Sequence, residues 1–404
     1  MDEITIGARL RTLRRWRGMT QTELAGLAGL SPSFLSMVET GQRPLDRRSH
    51  ISAIASALRV SETDLVGGPH LSADPLQSDP HAVIPALRAA LQTSSVDDPA
   101  VDRARALPVL AREMARIEPL HQACDYAAVG KALPAIVEEL HYHVAAPEDE
   151  ASYKSALETL VDACVCATFT AKDLGYGDLA HLAALQAEEA ARRLGDPVQR
   201  GKAAFVRAHS LPKTGSWDRT LAQAEHAASD LEPHAGTPLG FQVLGMLELT
   251  AALSAAVVQN GERAADWLKE ADRVAERVPD APDESWMAFS ATNVGIWRVA
   301  VSVERGYSGG AILKLAETVN EDKLVGKQGR RAAFFADVGR GLARESRTQR
   351  DAVRWLRRAE DSAPQWIRNS PAVRGTVTYL LDRATTTAGG RELRGMAARM
   401  RIQH

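Results

Sequence analysis

The sequence predicts an all-α fold made of two helical parts joined by a linker. Residues 4–66 hold five short segments whose apolar residues recur at helical spacing. The stretch 66–83, VGGPHLSADPLQSDPHAV, has three prolines, two glycines and no helical period, which is typical of a linker. Beyond it, Ala- and Leu-rich segments such as LAALQAEEAARRLG follow one another with almost no β-branched alternation. We therefore predict a domain at 1–66, a linker at 67–80 and a helical domain at 81–404.

The second and third segments predict two helices joined by a tight turn. The second begins with Thr20 and Glu23, which match a capping box, and it ends at Gly29, a residue that favours a left-handed stop. The third follows immediately, so the pair has the helix-turn-helix arrangement. The other segments are predicted from apolar residues at helical spacing, namely Ile6, Leu10, Leu13, Ile51, Ile54, Ala55, Leu58 and Leu65.

The third helix is predicted from SPSFLSMVETGQRP, residues 31–44. Ser31 suits the N-cap and Pro32 suits the first turn, where no N–H partner is needed. Leu35 and Val38 give the helix one buried side. This leaves a short, uncharged outward face that suits insertion into a groove, made of Ser33, Ser36 and Met37.

The helical domain contains weak internal repeats of small, large and small residues. This pattern is typical of the second helix of a tetratricopeptide repeat, where small residues let helices approach closely. The intervals of 47 and 41 residues exceed the usual ~34, so the helices or loops are predicted to be extended. We predict an α-solenoid of tetratricopeptide-like helical hairpins. The pattern occurs at Ala264, Leu268 and Ala271, loosely at Ala311, Leu315 and Thr318, and at Ala352, Leu356, Ala359 and Pro364.

Basic charge is concentrated near the N-terminus. Residues 1–60 contain nine arginines and five acidic residues, whereas the whole chain has a formal net charge of −2. Only the N-terminal part therefore has the charge to bind phosphate groups.

The start, MDEITIG, lacks the basic and apolar regions of a signal peptide. The most apolar stretch, 247–258, is too short to span a bilayer. We expect a cytoplasmic protein with no membrane partner.

Candidate catalytic and metal-binding residues are few. The sequence has no nucleotide-binding Gly-rich loop, no G-x-S-x-G and no paired Cys motif. Glu138, His141 and His143 are ligand types, but the two histidines lie on different sides of a helix, so local hydrogen bonds or hydration are favoured. We predict no enzyme activity, no catalytic residue, no metal and no cofactor.

The cysteines lack the spacing of a disulfide framework and are interpreted as buried small hydrophobes: Cys124, Cys164 and Cys166.

Residues 6–66 resemble the helix-turn-helix domain of the Xre/Cro family of bacterial and phage repressors. The likeness covers the full central motif, GMTQTELAGLAGLSPSFLSMVETGQRP. It implies a five-helix, lambda-repressor-like domain. It also implies that the partner is double-stranded DNA. Because one such domain buries too little surface for tight binding, we expect a homodimer on a pseudo-palindromic operator. The matching positions are Gln21, Glu23, Leu24, Ala25, Gly29, Ser31, Leu35, Ser36, Glu39, Gly41, Arg43 and Pro44.

The resemblance also implies roles for single residues. Gln21 is expected to hydrogen-bond a DNA phosphate, and Arg43 to reach the DNA backbone beyond the third helix. Glu39 is expected to pair with Arg14 of the first helix, which makes that pair structural. Pro32, Ser33 and Met37 occupy positions that usually face base edges. The predicted DNA-binding set is Thr20, Gln21, Ser31, Pro32, Ser33, Ser36, Met37 and Arg43.

The base-facing positions depart from the family pattern, because many relatives carry Gln, Asn or Arg there. Ser can bond several bases, and Met can only touch a thymine methyl or a base face. Direct readout is therefore expected to be modest. Phosphate contacts and DNA shape are expected to supply more of the affinity.

The whole chain is similar in arrangement to an actinobacterial group of Xre-type regulators with tetratricopeptide-like C-terminal regions. The stretches WMAFSATNVGIWRVAVSVE, RRAAFFADVGRGLA and GGRELRGMAARM carry this likeness. It implies a sensor or assembly domain without a defined ligand class. The layout is also similar to that of peptide-sensing regulators of Gram-positive bacteria, which is a weaker analogy at the level of fold.

An effector site is predicted from aromatic residues at 3-4-4 spacing around an amide. On one helix face, Asn293 would hold a peptide or small molecule through its donor and acceptor, between aromatic rings. The alternative is a packed core face in which Asn293 bonds a neighbouring carbonyl. The candidate residues are Trp286, Phe289, Asn293 and Trp297, with Trp366, Asn369, Arg330 and Arg331 as a second tier.

These observations predict a sequence-specific DNA-binding transcriptional regulator whose helical domain dimerises and senses an effector. Two alternatives follow from the same sequence. One is a helical-repeat scaffold that binds another protein and contacts DNA only secondarily. The other is an enzyme with an appended DNA-binding module.

Overall fold

The computed structural model of the protein describes residues 5–69, 75–211, 216–281, 285–383 and 388–402. Within these ranges all regular secondary structure is helical, which confirms the predicted all-α class. The chain forms a small N-terminal domain followed by a larger helical domain. Two separate hydrophobic clusters correspond to these two parts.

The N-terminal domain contains the five predicted short helices. Its core includes Leu10, Leu24, Leu35 and Ile54, each 0% exposed. Burying one such side chain contributes about 1.5–3 kcal/mol, so the domain has an apolar core of its own. The helices are α1 (Ile6–Trp16), α2 (Gln21–Ala28), α3 (Pro32–Glu39), α4 (Arg48–Leu58) and α5 (Glu62–Val66).

Local capping sets the boundaries of α2 and α3. Thr20 and Glu23 form the predicted capping box. Gly29 ends α2 in the left-handed conformation with φ 63°. The Ser31 hydroxyl accepts the Phe34 N–H at 3.1 Å. These contacts satisfy the free groups at the helix ends. The structure therefore confirms the predicted helix-turn-helix, and each contact that bounds its helices is local in sequence.

The larger domain is a succession of helices from α6 to α22. Short 3-10 turns separate some of them, among them Trp286–Ala288. The helices are α6 (Pro75–Ala82), α7 (Ile84–Thr93), α8 (Leu107–Gln122), α9 (Tyr126–Ala145), α10 (Glu150–Asp173), α11 (Gly177–Leu194), α12 (Pro197–Ser210), α13 (Trp217–Leu231), α14 (Pro238–Val257), α15 (Gly261–Ala275), α16 (Ala291–Glu304), α17 (Gly309–Ala316), α18 (Gln328–Ala343), α19 (Gln349–Ser362), α20 (Pro364–Ile367), α21 (Pro371–Leu381) and α22 (Ala388–Arg399).

The helices from α8 to α19 pack in two layers. Each helix contacts the next one along the chain, as expected for stacked hairpins. The even-numbered helices α8, α10, α12, α14, α16 and α18 also contact one another in succession, and we call them the inner helices. Close approach depends on small residues, since a Cβ on Gly339 would lie 2.7 Å from Leu356 of α19.

Helix α14 is the most apolar helix of the protein. It is longer than the predicted apolar stretch 247–258, and by length and composition alone it is the one helix in the described ranges that could cross a membrane. Of its most apolar 18-residue window, 94% is buried inside the protein. It packs against α12, α13, α15 and α16, so it forms the centre of the helical domain.

Two of the three predicted repeats have the predicted register. In α15 the buried residues include Ala264, Leu268 and Ala271, and in α19 they include Ala352, Leu356 and Ala359. The loose middle repeat is wrong. In α17 the buried side chains are Ile312 and Ala316, while Ala311 and Thr318 are exposed. The strongest apolar residues of that short helix set its register, and the predicted small residues face solvent.

The predicted linker at 67–80 is only partly non-helical. Residues 67–69 follow α5 without helical structure, whereas Pro75–Ala82 forms α6 with Pro80 inside it. The intervening residues 70–74 lie outside the described ranges. Pro75 at the start of α6 is compatible with a helix because the first turn needs no N–H partner, so proline content alone was a poor guide there.

Candidate nucleic-acid interface

The outward face of α3 is the candidate DNA-reading surface. Leu35 and Val38 are buried against the domain core, at 0% and 2% exposure. Pro32 and Ser33 on the opposite side are exposed, and Ser36 and Met37 are partly exposed. The predicted outward residues therefore share one accessible face. Because the face carries no charged side chain, it has few groups for bidentate contacts with bases.

Two members of the predicted DNA-binding set already serve as helix caps. The Thr20 hydroxyl accepts the Glu23 N–H at 3.1 Å and donates to the Glu23 carboxylate at 2.8 Å. The Ser31 hydroxyl caps α3 in the same way. Both residues are exposed, so a DNA contact by either remains a prediction.

Glu39 holds α1, α2 and α3 together. Its carboxylate accepts two hydrogen bonds from Arg14, at 2.6 and 2.8 Å, which confirms the pair expected from the resemblance. It also accepts a hydrogen bond from Gln21 at 2.9 Å. Burial would raise the pKa of Glu39, but the hydrogen bonds from Arg14 and Gln21 outweigh it and lower the pKa. The Gln21 amide is thus oriented at the start of α2 and keeps a second N–H for a phosphate.

Arg43 lies in the loop after α3 and is exposed. Its backbone N–H donates to the Met37 carbonyl at 3.1 Å, which fixes the loop against α3. The end of α21 approaches the same loop, where Arg383 donates to the Gln42 carbonyl at 2.8 Å. A Cβ on Gly41 would lie 2.8 Å from the Asp382 carboxylate. The helical domain therefore reaches the loop that carries the predicted phosphate contact.

Comparison with known proteins supports this reading of the N-terminal part. Residues 5–66 match the protein family described as "Helix-turn-helix domain". Residues 5–66 are a helix-turn-helix domain. No curated protein and no solved structure matches the chain.

The helix-turn-helix domain is docked on the helical domain through the start of α4. Helix α4 has no side-chain cap of its own. Instead, Glu304 at the end of α16 accepts the backbone N–H of Arg48 at 2.9 Å and its Nη1 at 2.7 Å. Arg340 of α18 donates to the same carboxylate at 3.0 Å. Burial would raise the pKa of Glu304, yet the charges of Arg48 and Arg340 lower it to about 2.

Further contacts surround this ion pair. Arg344 donates to the Asp46 carboxylate at 2.9 Å, and Arg47 donates to the Glu304 carbonyl at 3.1 Å. Trp217 of α13 donates to the Glu62 carboxylate at 3.2 Å. Arg47 and Arg48 are therefore bonded to the helical domain. This reduces the positive charge that the N-terminal domain can offer to DNA phosphates below the surplus counted in the sequence.

The structure corrects the predicted effector face. Trp286 lies in a 3-10 turn and Phe289 follows that turn, because Met287 and Ala288 have positive φ and α16 begins only at Ala291. The 3-4-4 spacing therefore does not lie on one helix. Phe289 and Asn293 are 0% exposed, and the Asn293 amide donates to the Met287 carbonyl at 3.4 Å. Of the four candidates, Trp297 alone lines the large cavity between the two domains.

That cavity lies between the helix-turn-helix domain and the inner helices and has a volume of about 310 Å³. The second-tier candidates Arg330, Trp366 and Asn369 line it, whereas Arg331 does not. The cavity is also lined by His121, Phe169 and His209, which no sequence pattern predicted. They lie on three different helices, so no spacing along the chain connects them.

His141 forms the predicted local contact, whereas His143 bonds a carbonyl 38 residues away in the chain. His141 Nδ1 lies 2.7 Å from the Val137 carbonyl, and His143 Nε2 lies 2.7 Å from the Arg105 carbonyl.

A different group, Glu118, His121 and Cys166, has ligand atoms within 4.8 Å of one another and the composition of a metal site. The thiol of Cys166 would have to lose its proton to bind a metal, and burial raises its pKa.

We predict that the thiols of the folded protein react slowly with an aromatic disulfide reagent at pH 8. All three cysteines are buried, and burial raises the pKa of Cys124 and of Cys164 to about 12. The thiolate is the reactive form, so the folded chain offers very little of it. The same reagent in guanidinium chloride should titrate three thiols. Rapid modification of Cys166 without denaturant would contradict its enclosed position.

Proposed function

We propose that this protein is a sequence-specific DNA-binding transcriptional regulator of the Xre type. The observation that carries the proposal is the helix-turn-helix domain at residues 5–66. Its third helix presents Pro32, Ser33, Ser36 and Met37 on one accessible face. Gln21 and Arg43 flank that face at positions suited to phosphate contacts, which hold a recognition helix in register. We propose that the protein acts in the cytoplasm and by binding, not by catalysis.

The helical domain is proposed to be tetratricopeptide-like and to form the homodimer contact. The stacked helices and the small-large-small residues of α15 and α19 support the first part. The binding free energy favours a dimer, since one such domain covers too little DNA for tight binding. Two domains would contact half-sites about one helical turn apart. Sedimentation of the full chain with and without operator DNA tests the stoichiometry.

The first experiment locates the DNA site by nuclease protection on the region upstream of the protein's own gene. Protection of a symmetric sequence of two half-sites is the expected result. Binding that shows no preference over unrelated DNA of the same length would contradict sequence-specific recognition. The salt dependence should be recorded together with the affinity, because the phosphate contribution varies steeply with salt.

Arg43→Ala should weaken DNA binding by a similar factor on every sequence. An exposed arginine that contacts a phosphate contributes to affinity without reading bases, and its loss should reduce the slope of log affinity against log salt by about 1. Gel shifts at several salt concentrations measure both quantities. Arg273→Ala, which removes an exposed arginine from α15, is the matched control. Equal affinity and slope for the two variants would remove Arg43 from the interface.

A further inference from the structure

Rings from four of the inner helices form a row along the wall of the interdomain cavity. His121 of α8 lies 6.0 Å from Phe169 of α10, measured between ring centroids. Phe169 lies 5.4 Å from His209 of α12, and His209 lies 6.2 Å from Trp297 of α16. All four residues line the cavity. The wall therefore offers flat apolar surface to a ligand that contains a ring.

A cation without a counter-ion faces the same cavity. The guanidinium of Arg330 lies 5.7 Å from the centre of the Trp297 ring. Among the described residues, no side chain forms an ion pair or hydrogen bond with it. Arg330 is partly exposed, and the partial loss of water around its guanidinium lowers its pKa.

The nearest carboxylates are already paired with other groups. Asp173 accepts the Tyr126 hydroxyl at 2.6 Å and also pairs with Lys172. Asp337 accepts a hydrogen bond from Arg340 at 2.6 Å. These acids attract Arg330 through space but do not bond it. The protein thus keeps an arginine fork free to bind an anion inside the cavity.

Other polar groups of the cavity wall also lack partners. Trp297 and Asn369 are 5% and 8% exposed, yet the Trp297 Nε1 and the Asn369 Oδ1 have no hydrogen-bond partner in the described structure. The same holds for Nδ1 of His121. Such groups are costly when they stay unpaired. Each of these atoms is itself enclosed, so a ligand would bond one of them only after a small movement of its side chain.

We propose that the interdomain cavity binds a small organic anion, a carboxylate or phosphate attached to an apolar ring, with its charge on Arg330. The volume of about 310 Å³ is at the lower end of the range for small-molecule sites, which favours such a molecule over a peptide. The ring would lie against Phe169, His209 and Trp297.

Ligand binding in this cavity would act on the position of the helix-turn-helix domain. Arg48, Ile51, Thr63 and Val66 of that domain complete the cavity wall. A ligand that contacts both domains stabilises the docked arrangement by its differential affinity. This regulatory consequence rests on the proposed function, whereas anion binding itself does not.

Calorimetry on the full chain tests the site with benzoate, 1-naphthoate and phenyl phosphate as anions. The neutral 1-naphthalenemethanol serves as the uncharged counterpart of 1-naphthoate. Two variants are compared: Arg330→Met, which removes the charge and keeps an apolar stem, and Arg331→Met, its neighbour outside the cavity. We expect at least one anion to bind, Arg330→Met to weaken that binding at least ten-fold, and Arg331→Met to leave it unchanged. The neutral probe should be insensitive to both.

The melting temperature without ligand separates a binding role from a structural one. Removing a partly exposed cation that has no counter-ion should leave the melting temperature of Arg330→Met no lower than that of the wild type. A lowered melting temperature, equal anion affinity in Arg330→Met and wild type, or no binding of any of the three anions would overturn the proposal. Gel shifts with the bound anion then test the coupling, and a failure to bind DNA would leave the calorimetric result standing.

Discussion

Glu304→Ala should separate the helix-turn-helix domain from the helical domain and destabilise the protein by about 3–5 kcal/mol, the usual cost of removing one partner from a buried ion pair. The Glu304 side chain is fully buried, and Arg340 beside it is 2% exposed. The substitution would also remove the only cap at the start of α4 that the described structure shows. Urea unfolding measures the loss, and limited proteolysis that releases the helix-turn-helix domain reports the separation of the domains.

Exposed Glu317 is the matched control, since Glu317→Ala removes the same charge from a solvent-facing position. The pH dependence gives a second check. The pKa of Glu304 is about 2 in the folded protein against an ordinary 4.5, so its contribution is fully present above about pH 4.5 and is lost as the pH falls towards 2. This loss should be absent from Glu304→Ala. Unfolding curves that coincide for the two variants at pH 7 would show that the contact contributes nothing.

Gly7→Ala should destabilise the helix-turn-helix domain by about 1–3 kcal/mol or more, since overpacking against a rigid neighbour forces the backbone to shift. A Cβ at Gly7 would overlap the carbonyl oxygen of Val38, which belongs to the backbone of α3. No rotamer change relieves such a clash, so α1 would have to move away from α3. Thermal unfolding and DNA affinity should fall together.

Gly26→Ala makes the same chemical change as Gly7→Ala but should have the opposite effect on stability. Gly26 lies within α2, and a Cβ there would meet nothing within 4 Å. Replacing a helical glycine at an open position should stabilise the domain by about 0.5–1 kcal/mol. If Gly7→Ala and Gly26→Ala shift stability in the same direction, the close contact of α1 with α3 is not as described.

Much of the helix-turn-helix domain could be predicted because its determinants are close together in the chain. The Thr20–Glu23 capping box, the Gly29 stop and the Ser31 cap each act within a few residues. The pairing of Arg14 with Glu39 is not local and came from the resemblance to a known family. The exposed face of α3 that we propose for reading DNA followed from the period of the helix, since Leu35 and Val38 must be buried together.

The candidate effector site was predicted less well because its premise was a continuous helix. The positive φ angles of Met287 and Ala288 break that continuity, and neither residue type signals such a conformation. Trp297 lines the interdomain cavity, whereas Asn293 is enclosed in the core. Spacing along one helix cannot show which side of it faces a neighbouring layer.

The sequence by itself determined the all-α class, the five N-terminal helices with the caps of α2 and α3, and the register of α15 and α19, because helical period and capping act over one or two turns. Only the tertiary structure decided where the two domains meet. Arg48 bonds a carboxylate 256 residues away, that of Glu304. The only local sign of this contact is that α4 lacks a side-chain cap of its own. The cavity was decided in the same way, since Arg330 and the rings beside it come together through the stacking of separate helices.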